Sequence, residues 1–458
     1  MQNFWDSNVW GLLNIFVMLL ASLLVSTLLK RSKLLKKTLI PTSVLAGLTL
    51  LVISTAYFYL TGEQVMYDTP FFGGNGSAVL EMITYHCLAL GFIASTLKTT
   101  NNKFTKQRSV EIFDSGLTTV ATYLLQAILG LGITLIAALV LEEFFSAAGI
   151  LLPFGFGQGT GQAMNYGNIY EIDYGFVGGK NFGLTIAALG FLSASVGGIF
   201  HLYTLKRKGK ITPGVRQANP VGTVEGANEI EMGGSVDKFT LQLAFVGVAY
   251  LLAYGAMCGL GALIPGMKAT IFGFNFLLGV LGAIAVKKTV QFLRKKNMLK
   301  KDYINNFLLT RITNLCFDLM VVAGIAAIRL DLLKEHWGIL IILAVVGLVS
   351  TYVYNLFVAK KLFGDYADEQ FLAMYGMLTG TASTGAILLR EIDSDFKSPA
   401  ADNLIYQTVP AIAFGFPIML LATFAPKSPL LTFGILIAFF AVMNIILFRR
   451  QIFKRKQK

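Results

Sequence analysis

Charge is what this chain has least of. Asp, Glu, Lys and Arg make up 14% of its 458 residues, where soluble domains carry roughly 25%. Cysteine is scarce too. Cys87, Cys258 and Cys316 all fall inside apolar segments without metal spacing, which excludes a disulfide framework and leaves them as small core residues. Residues 1–10 contain no Lys or Arg, so the basic start of a cleaved signal peptide is missing. There is no Gly-x-Ser-x-Gly, no His-Glu-x-x-His and no carboxylate pair set in a polar stretch. The chain therefore does not read as an enzyme, and it lacks the output domain of a sensor. Gly155-x-Gly157-x-Gly159 follows no strand and has no Lys in phosphate-loop position, which excludes a nucleotide loop.

What the chain has is apolar length. Hydrophobic residues reach 55% and the mean hydropathy is +0.65. A bilayer-spanning helix needs roughly 20 apolar residues. Eleven segments qualify: 9–29, 39–60, 78–97, 117–141, 182–205, 239–263, 269–286, 307–330, 337–357, 405–424 and 430–448. The class is an all-α polytopic membrane protein.

Two stretches do not fit that plan. Residues 154–173 and 374–393 lie between apolar segments yet are rich in Gly, Thr and other polar residues. Backbone that cannot complete a helix persists at membrane depth only where protein buries it or where it lines a cavity. Both stretches carry Gly-Thr in the turn, Gly159-Thr160 and Gly380-Thr381, and both end on Glu-Ile-Asp. They read as two re-entrant broken hairpins, 145–173 and 367–393, that meet and form a binding site.

Basic residues give the orientation. With the N-terminus outside and each hairpin entering and leaving on one face, 32 of the 38 Lys and Arg lie on the cytoplasmic side and five outside, with Arg311 inside a span. The net charge of +13 then decorates a cytoplasmic face, where it meets anionic lipid rather than nucleic acid.

The polar stretch 206–238 reads as a cytoplasmic linker between a first repeat, 1–205, and a second, 239–424. Residues 425–458 add an extra helix and a basic tail. Five spans per half place the second half upside down relative to the first, the inverted-repeat plan of secondary transporters. Ile83-Thr84-x-x-Cys87-x-x-Leu90 in the third span matches Ile312-Thr313-x-x-Cys316-x-x-Leu319 in the eighth.

The tips supply the candidate site. Half-helix N-termini favour an anionic substrate group, and unwound carbonyls and hydroxyls suit dehydrated Na⁺. Substrate candidates are Gln158, Gly159, Thr160, Gly161, Gln162 and Asn165 in the first tip. In the second they are Thr381, Ser383, Thr384 and Gly385, with Arg390 as a carboxylate clamp. Na⁺ candidates are Thr160, Thr379, Gly380 and Thr381, together with Asp318 near the middle of the eighth span. Asp318 could instead carry a proton, which keeps an H⁺-coupled transporter of another small organic anion as the alternative. His86 reads as a hydrogen-bonded core residue, and Glu81 and Asp114 as interfacial.

Four motifs carry a family resemblance. They are Leu39-Ile-Pro-Thr-Ser-Val-Leu-Ala-Gly, Gln158-Gly-Thr-Gly-Gln-Ala, Ile325-Ala-Ala-Ile-Arg-Leu-Asp-Leu-Leu and Gly376-Met-Leu-Thr-Gly-Thr-Ala-Ser-Thr. Together they resemble the bacterial sodium/glutamate symporter family over residues 9–424. The resemblance implies Na⁺-coupled symport of L-glutamate or a related small carboxylate, with Na⁺ as the coupling ion and no organic cofactor. It also implies two inverted five-span repeats, a homodimeric scaffold, elevator-like movement and residence in the bacterial inner membrane. Two positions depart from the family pattern. Gln158 stands where members often have His, and the second tip is richer in Thr and Ser.

Overall fold

The computed structural model describes residues 6–32, 35, 37–99, 105–141, 144–209, 237–298, 303–393 and 397–453. Most of the expected linker 206–238 and the end of the basic tail lie outside the described residues. All regular structure among the described residues is helical. Among the described residues, ten helices are long and apolar enough to cross a membrane, or eleven if one bent pair counts as a single span. The chain is therefore a multi-pass membrane protein by length and composition.

In chain order the helices are α1 (Ser7–Leu29), α2 (Thr42–Leu60), α3 (Gly76–Leu97) and α4 (Lys106–Val140), then α5 (Leu151–Gln158), α6 (Thr160–Tyr174) and α7 (Gly179–Arg207). The middle of the chain gives α8 (Lys238–Leu263), α9 (Lys268–Gly273), α10 (Asn275–Lys295) and α11 (Asn306–Ala326). The last part gives α12 (Trp337–Leu362), α13 (Ala367–Thr379), α14 (Ala382–Arg390), α15 (Pro399–Tyr406), α16 (Thr408–Phe424), α17 (Pro429–Leu447) and α18 (Arg449–Phe453). The bent pair is α15 and α16, which turn by 45°.

Local chemistry sets several boundaries. Thr105 caps α4 by accepting from the Arg108 N–H at 3.3 Å, and Asp237 caps α8 by accepting from the Thr240 N–H at 3.0 Å; each satisfies one orphan donor of a first turn. Helix α4 has 35 residues, about 52 Å at 1.5 Å per residue, so it outruns the ~30 Å hydrocarbon layer.

The chain divides into two compact units. The first holds Met1–Glu81, Phe104–Lys208 and Val321–Lys458; the second holds Met82–Lys103 and Gly209–Met320. The units do not follow the halves of the sequence. Both glycine-rich breaks fall in the first unit, and most of the third and eighth spans falls in the second. The sixth and seventh spans belong to the second unit, whereas the first two belong to the first.

Within the first unit, α7 is the most enclosed of the candidate spans. Helices α5, α6, α12 and α13 pack around it. Buried Tyr166 and Tyr170 of α6 donate to the Met419 and Ala422 carbonyls of α16 at 2.8 and 2.5 Å. A buried phenol needs such a partner, and the two bonds tie α6 to α16.

Within the second unit, Ile93, Leu97, Ala249, Ala283, Leu309 and Ile312 form the core. Cys316 belongs to this core and Cys87 packs against it, whereas Cys258 is exposed. The expectation that all three cysteines are core residues therefore fails at Cys258, which lies on a helix of which only a few residues are buried. His86 Nδ1 and the Tyr250 hydroxyl lie 2.6 Å apart.

Candidate functional site

The two glycine-rich stretches are helix–turn–helix hairpins in the first unit. In the first, α5 ends at Gln158 and α6 begins at Thr160. The single intervening residue, Gly159, has φ +80° and ψ −171°, which a side chain would strain. Phe154 and Tyr166 stack across the turn with ring centroids 4.2 Å apart. In the second, α13 ends at Thr379, Gly380 and Thr381 form the turn, and α14 starts at Ala382. Its arms lie so close that a Cβ on Gly385 would stand 2.3 Å from the Ala373 carbonyl oxygen.

The turns converge on α7. A Cβ built on Gly190 would come 2.7 Å from the Thr379 carbonyl oxygen and 3.1 Å from the Phe156 ring. Only hydrogen at that position lets both tips reach the same helix.

Helix α4 serves both turns. The Tyr123 hydroxyl donates to the Gly157 carbonyl at 2.9 Å. Three residues on, Gln126 Nε2 donates to the Leu378 carbonyl at 2.9 Å. Each accepting carbonyl is among the last of its short helix, where no intrahelical donor exists. Tyr123 and Gln126 thus satisfy the ends of α5 and α13, and the starts of α6 and α14 face the turns with their N–H groups.

Each site residue expected from sequence can now be placed. Gln158 is half-buried, and Gly159, Thr160, Gly161, Gln162 and Asn165 are buried. Thr160 faces α11, where a Cβ on Gly324 would lie 2.9 Å from its Oγ1. Gln162 is 1% exposed, and neither its Oε1 nor its Nε2 has a hydrogen-bond partner among the described residues. Thr379 is buried and donates to the Tyr375 carbonyl at 2.6 Å. Gly380, Thr384 and Gly385 are buried, Thr381 is half-buried and Ser383 is exposed. Thr381 and Thr384 face each other, Oγ1 to Oγ1, at 3.4 Å.

One nominated residue is not gathered with these: Arg390 is exposed at the last position of α14, about 12 Å along the axis from the turn. Asp318 is exposed on α11 and belongs to the second unit. Asp393 uses its carboxylate locally, accepting from the Lys397 and Ser398 N–H groups at 2.9 and 2.8 Å; the neighbouring 394–396 lie outside the described residues. Glu81 pairs with Lys180 at 2.9 Å, and Asp114 with Arg449 at 2.7 Å.

The sequence reading missed the polar stripe of α4. Gln370 Nε2 donates to Ser115 Oγ at 3.0 Å, and Thr119 Oγ1 donates to Gln407 Oε1 at 2.6 Å. Gln126 Nε2 donates to Thr351 Oγ1 at 2.8 Å, and Asn355 Nδ2 donates to Thr122 Oγ1 at 3.2 Å. The signal was present: Ser115, Thr119, Thr122 and Gln126 recur at helical spacing inside an apolar run.

Among the described residues no group of three or more His, Cys, Asp or Glu could hold a metal ion. The oxygens at the turns are neutral hydroxyls, amides and carbonyls, which suit a monovalent cation better than a divalent one. No model of a known protein family matches the chain, and no curated protein matches it.

Proposed function

We propose that this protein is a secondary active transporter that couples Na⁺ to the uptake of L-glutamate or a related small carboxylate. The observation that carries the reading is the convergence of two broken hairpins on α7, with the Gln162 amide buried beside the first turn and unpartnered. An amide that offers both a donor and an acceptor, in the first turn of α6, fits a small anion. Burying it without a ligand costs about 1–3 kcal/mol for each unsatisfied group, so a ligand recovers that energy on binding.

In this reading the hairpins are re-entrant and the halves are inverted repeats. The meeting of Cys87 with Cys316, which occupy matching positions in the two halves, supports the second point. A pseudo-two-fold axis brings equivalent residues face to face where their helices cross. The hairpin-bearing unit is the moving part of an elevator, and the protein works as a homodimer in the bacterial inner membrane, N-terminus outside and C-terminus in the cytoplasm. Thr160, Thr379, Gly380 and Thr381 supply oxygens for the cation, and Arg390 acts away from its turn.

Uptake of labelled glutamate and other small carboxylates into proteoliposomes tests the reading. Accumulation under an inward Na⁺ gradient, and none in its absence, is the expected result. Uptake that follows a pH gradient instead, and is lost in Asp318→Asn, moves the coupling to H⁺. No Na⁺-dependent uptake of any carboxylate ends the proposal.

A further inference from the structure

We propose that the amide oxygens of Gln126 and Asn355 form a binding site for a dehydrated monovalent cation, Na⁺ foremost, one step behind the second turn. The inference rests on the transport reading above only for its role as the coupling ion; its geometry stands alone.

Helices α4 and α12 face each other through two polar rungs one helical turn apart. In the first rung Gln126 meets Thr351; in the second Thr122 meets Asn355. The amide orientations are fixed by backbone acceptors. Gln126 Nε2 points at the Leu378 carbonyl, 2.9 Å away, and Asn355 Nδ2 points at the Thr351 carbonyl, also 2.9 Å away. Flipping either amide would set oxygen against oxygen. The Thr122 hydroxyl spends its proton on the Thr118 carbonyl at 2.7 Å, so it accepts from Asn355 and donates to neither amide.

Both amide oxygens are thereby turned away from every donor. Gln126 is 0% and Asn355 2% exposed, and neither Oε1 nor Oδ1 has a hydrogen-bond partner among the described residues. Two acceptors oriented in this way repel an anion and lack the negative charge that a divalent ion requires before it gives up water. They match the neutral oxygens that replace the hydration shell of a monovalent cation. The field has the same sign. Gln126 bonds the penultimate carbonyl of α13, at the negative end of that helix. An ion held there stiffens Leu378 and Thr379 and so couples its binding to the Gly380–Thr381 turn.

The test is thermal unfolding of the purified full-length protein, titrated from choline chloride into NaCl at constant ionic strength. Wild type is expected to gain stability saturably with Na⁺. Gln126→Met and Asn355→Leu keep side-chain size and remove one ligand oxygen each, so each should weaken the Na⁺ response about ten- to hundredfold. Asn355→Ser, which packs with less strain, provides the same reading if the leucine variant does not fold. Thr27→Ala, which removes an exposed hydroxyl of α1 bonded only to the Leu23 carbonyl, should keep the response. A response unchanged in the Gln126 and Asn355 variants but lost in Thr381→Ala overturns this site while leaving Na⁺ coupling intact. No response of wild type to Na⁺, Li⁺ or K⁺ means a water site and overturns it too. If the responses fall as expected while glutamate uptake ignores Na⁺, the site stands and the coupling reading fails.

Discussion

The two hairpins share a plan and differ in how firmly they are held. The first turns on one residue, Gly159, in a backbone conformation that a side chain would strain. Its second arm is long and tied to α16 by two phenol hydrogen bonds, and all of residues 159–167 are buried. The second turns on Gly380, with φ −147° and ψ −106°, and on Thr381, which is extended with φ −141° and ψ 170°. Its outgoing arm is only nine residues long, and Ala382 and Ser383 are exposed. A buried, pinned turn is suited to hold a substrate group in fixed geometry. A short, half-exposed arm opens at lower cost, because few buried contacts must break. Under the transport function proposed above, the first hairpin would read the substrate and the second would act as the gate.

The comparison breaks most readily at Gly190, the point both turns share. Gly190→Leu should abolish uptake. Even Gly190→Ala should lower stability by about 1–3 kcal/mol, the usual cost of overpacking, because the added carbon meets the Thr379 backbone. Melting temperature and uptake of both variants check this.

Gln162→Leu separates holding from folding. It should weaken substrate binding at least about tenfold, yet raise the ligand-free melting temperature, since a buried amide without partners is removed. A lower melting temperature would mean that the amide is satisfied and that the first hairpin is ordinary core.

Tyr123→Phe and Ser383→Ala sharpen the difference between the hairpins. The first loses a hydrogen bond to the part-buried Gly157 carbonyl, about 1 kcal/mol of stability. The second, on an exposed arm, should change stability by less than ~0.5 kcal/mol. Chemical or thermal unfolding reads both.

The smallest effect expected is one of pH. His336 lies among the Phe144, Phe176 and Phe182 rings, near the far end of the first hairpin. Burial lowers its pKa below the ordinary 6.5, only partly countered by Glu335. The fold thus favours the neutral ring. Stability from this site is complete above about pH 6.5 and falls as pH drops toward the lowered value. His336→Phe should flatten the acid side of a melting-temperature profile and leave the neutral side unchanged.

Much of this layout was legible in the chain. Long apolar runs leave a helix as the only way to satisfy the backbone in lipid, so ten of the eleven segments fall on helices long and apolar enough to cross, while 405–424 falls on the bent pair α15 and α16. Gly-Thr pairs between such runs marked both turns, because Gly159 and Gly380 interrupt stretches with no other reason to be polar. Arg390 was harder to place. Its charge pointed to a ligand, but its distance from the turn depends on how many residues of α14 stay helical. The rungs of α4 and α12 were harder still. Single Thr, Gln and Asn residues in an apolar run are compatible with lone back-bonded side chains. Only the packing of two helices shows that Gln126 answers Thr351 and Asn355 answers Thr122.

The most direct measurement is binding of glutamate to purified wild type and Gln162→Leu, by isothermal titration calorimetry in NaCl and in choline chloride. Heat from wild type in NaCl alone, and none from the variant in either salt, is the result this account predicts. Equal binding by both proteins would contradict it, as would wild type binding no small carboxylate in NaCl.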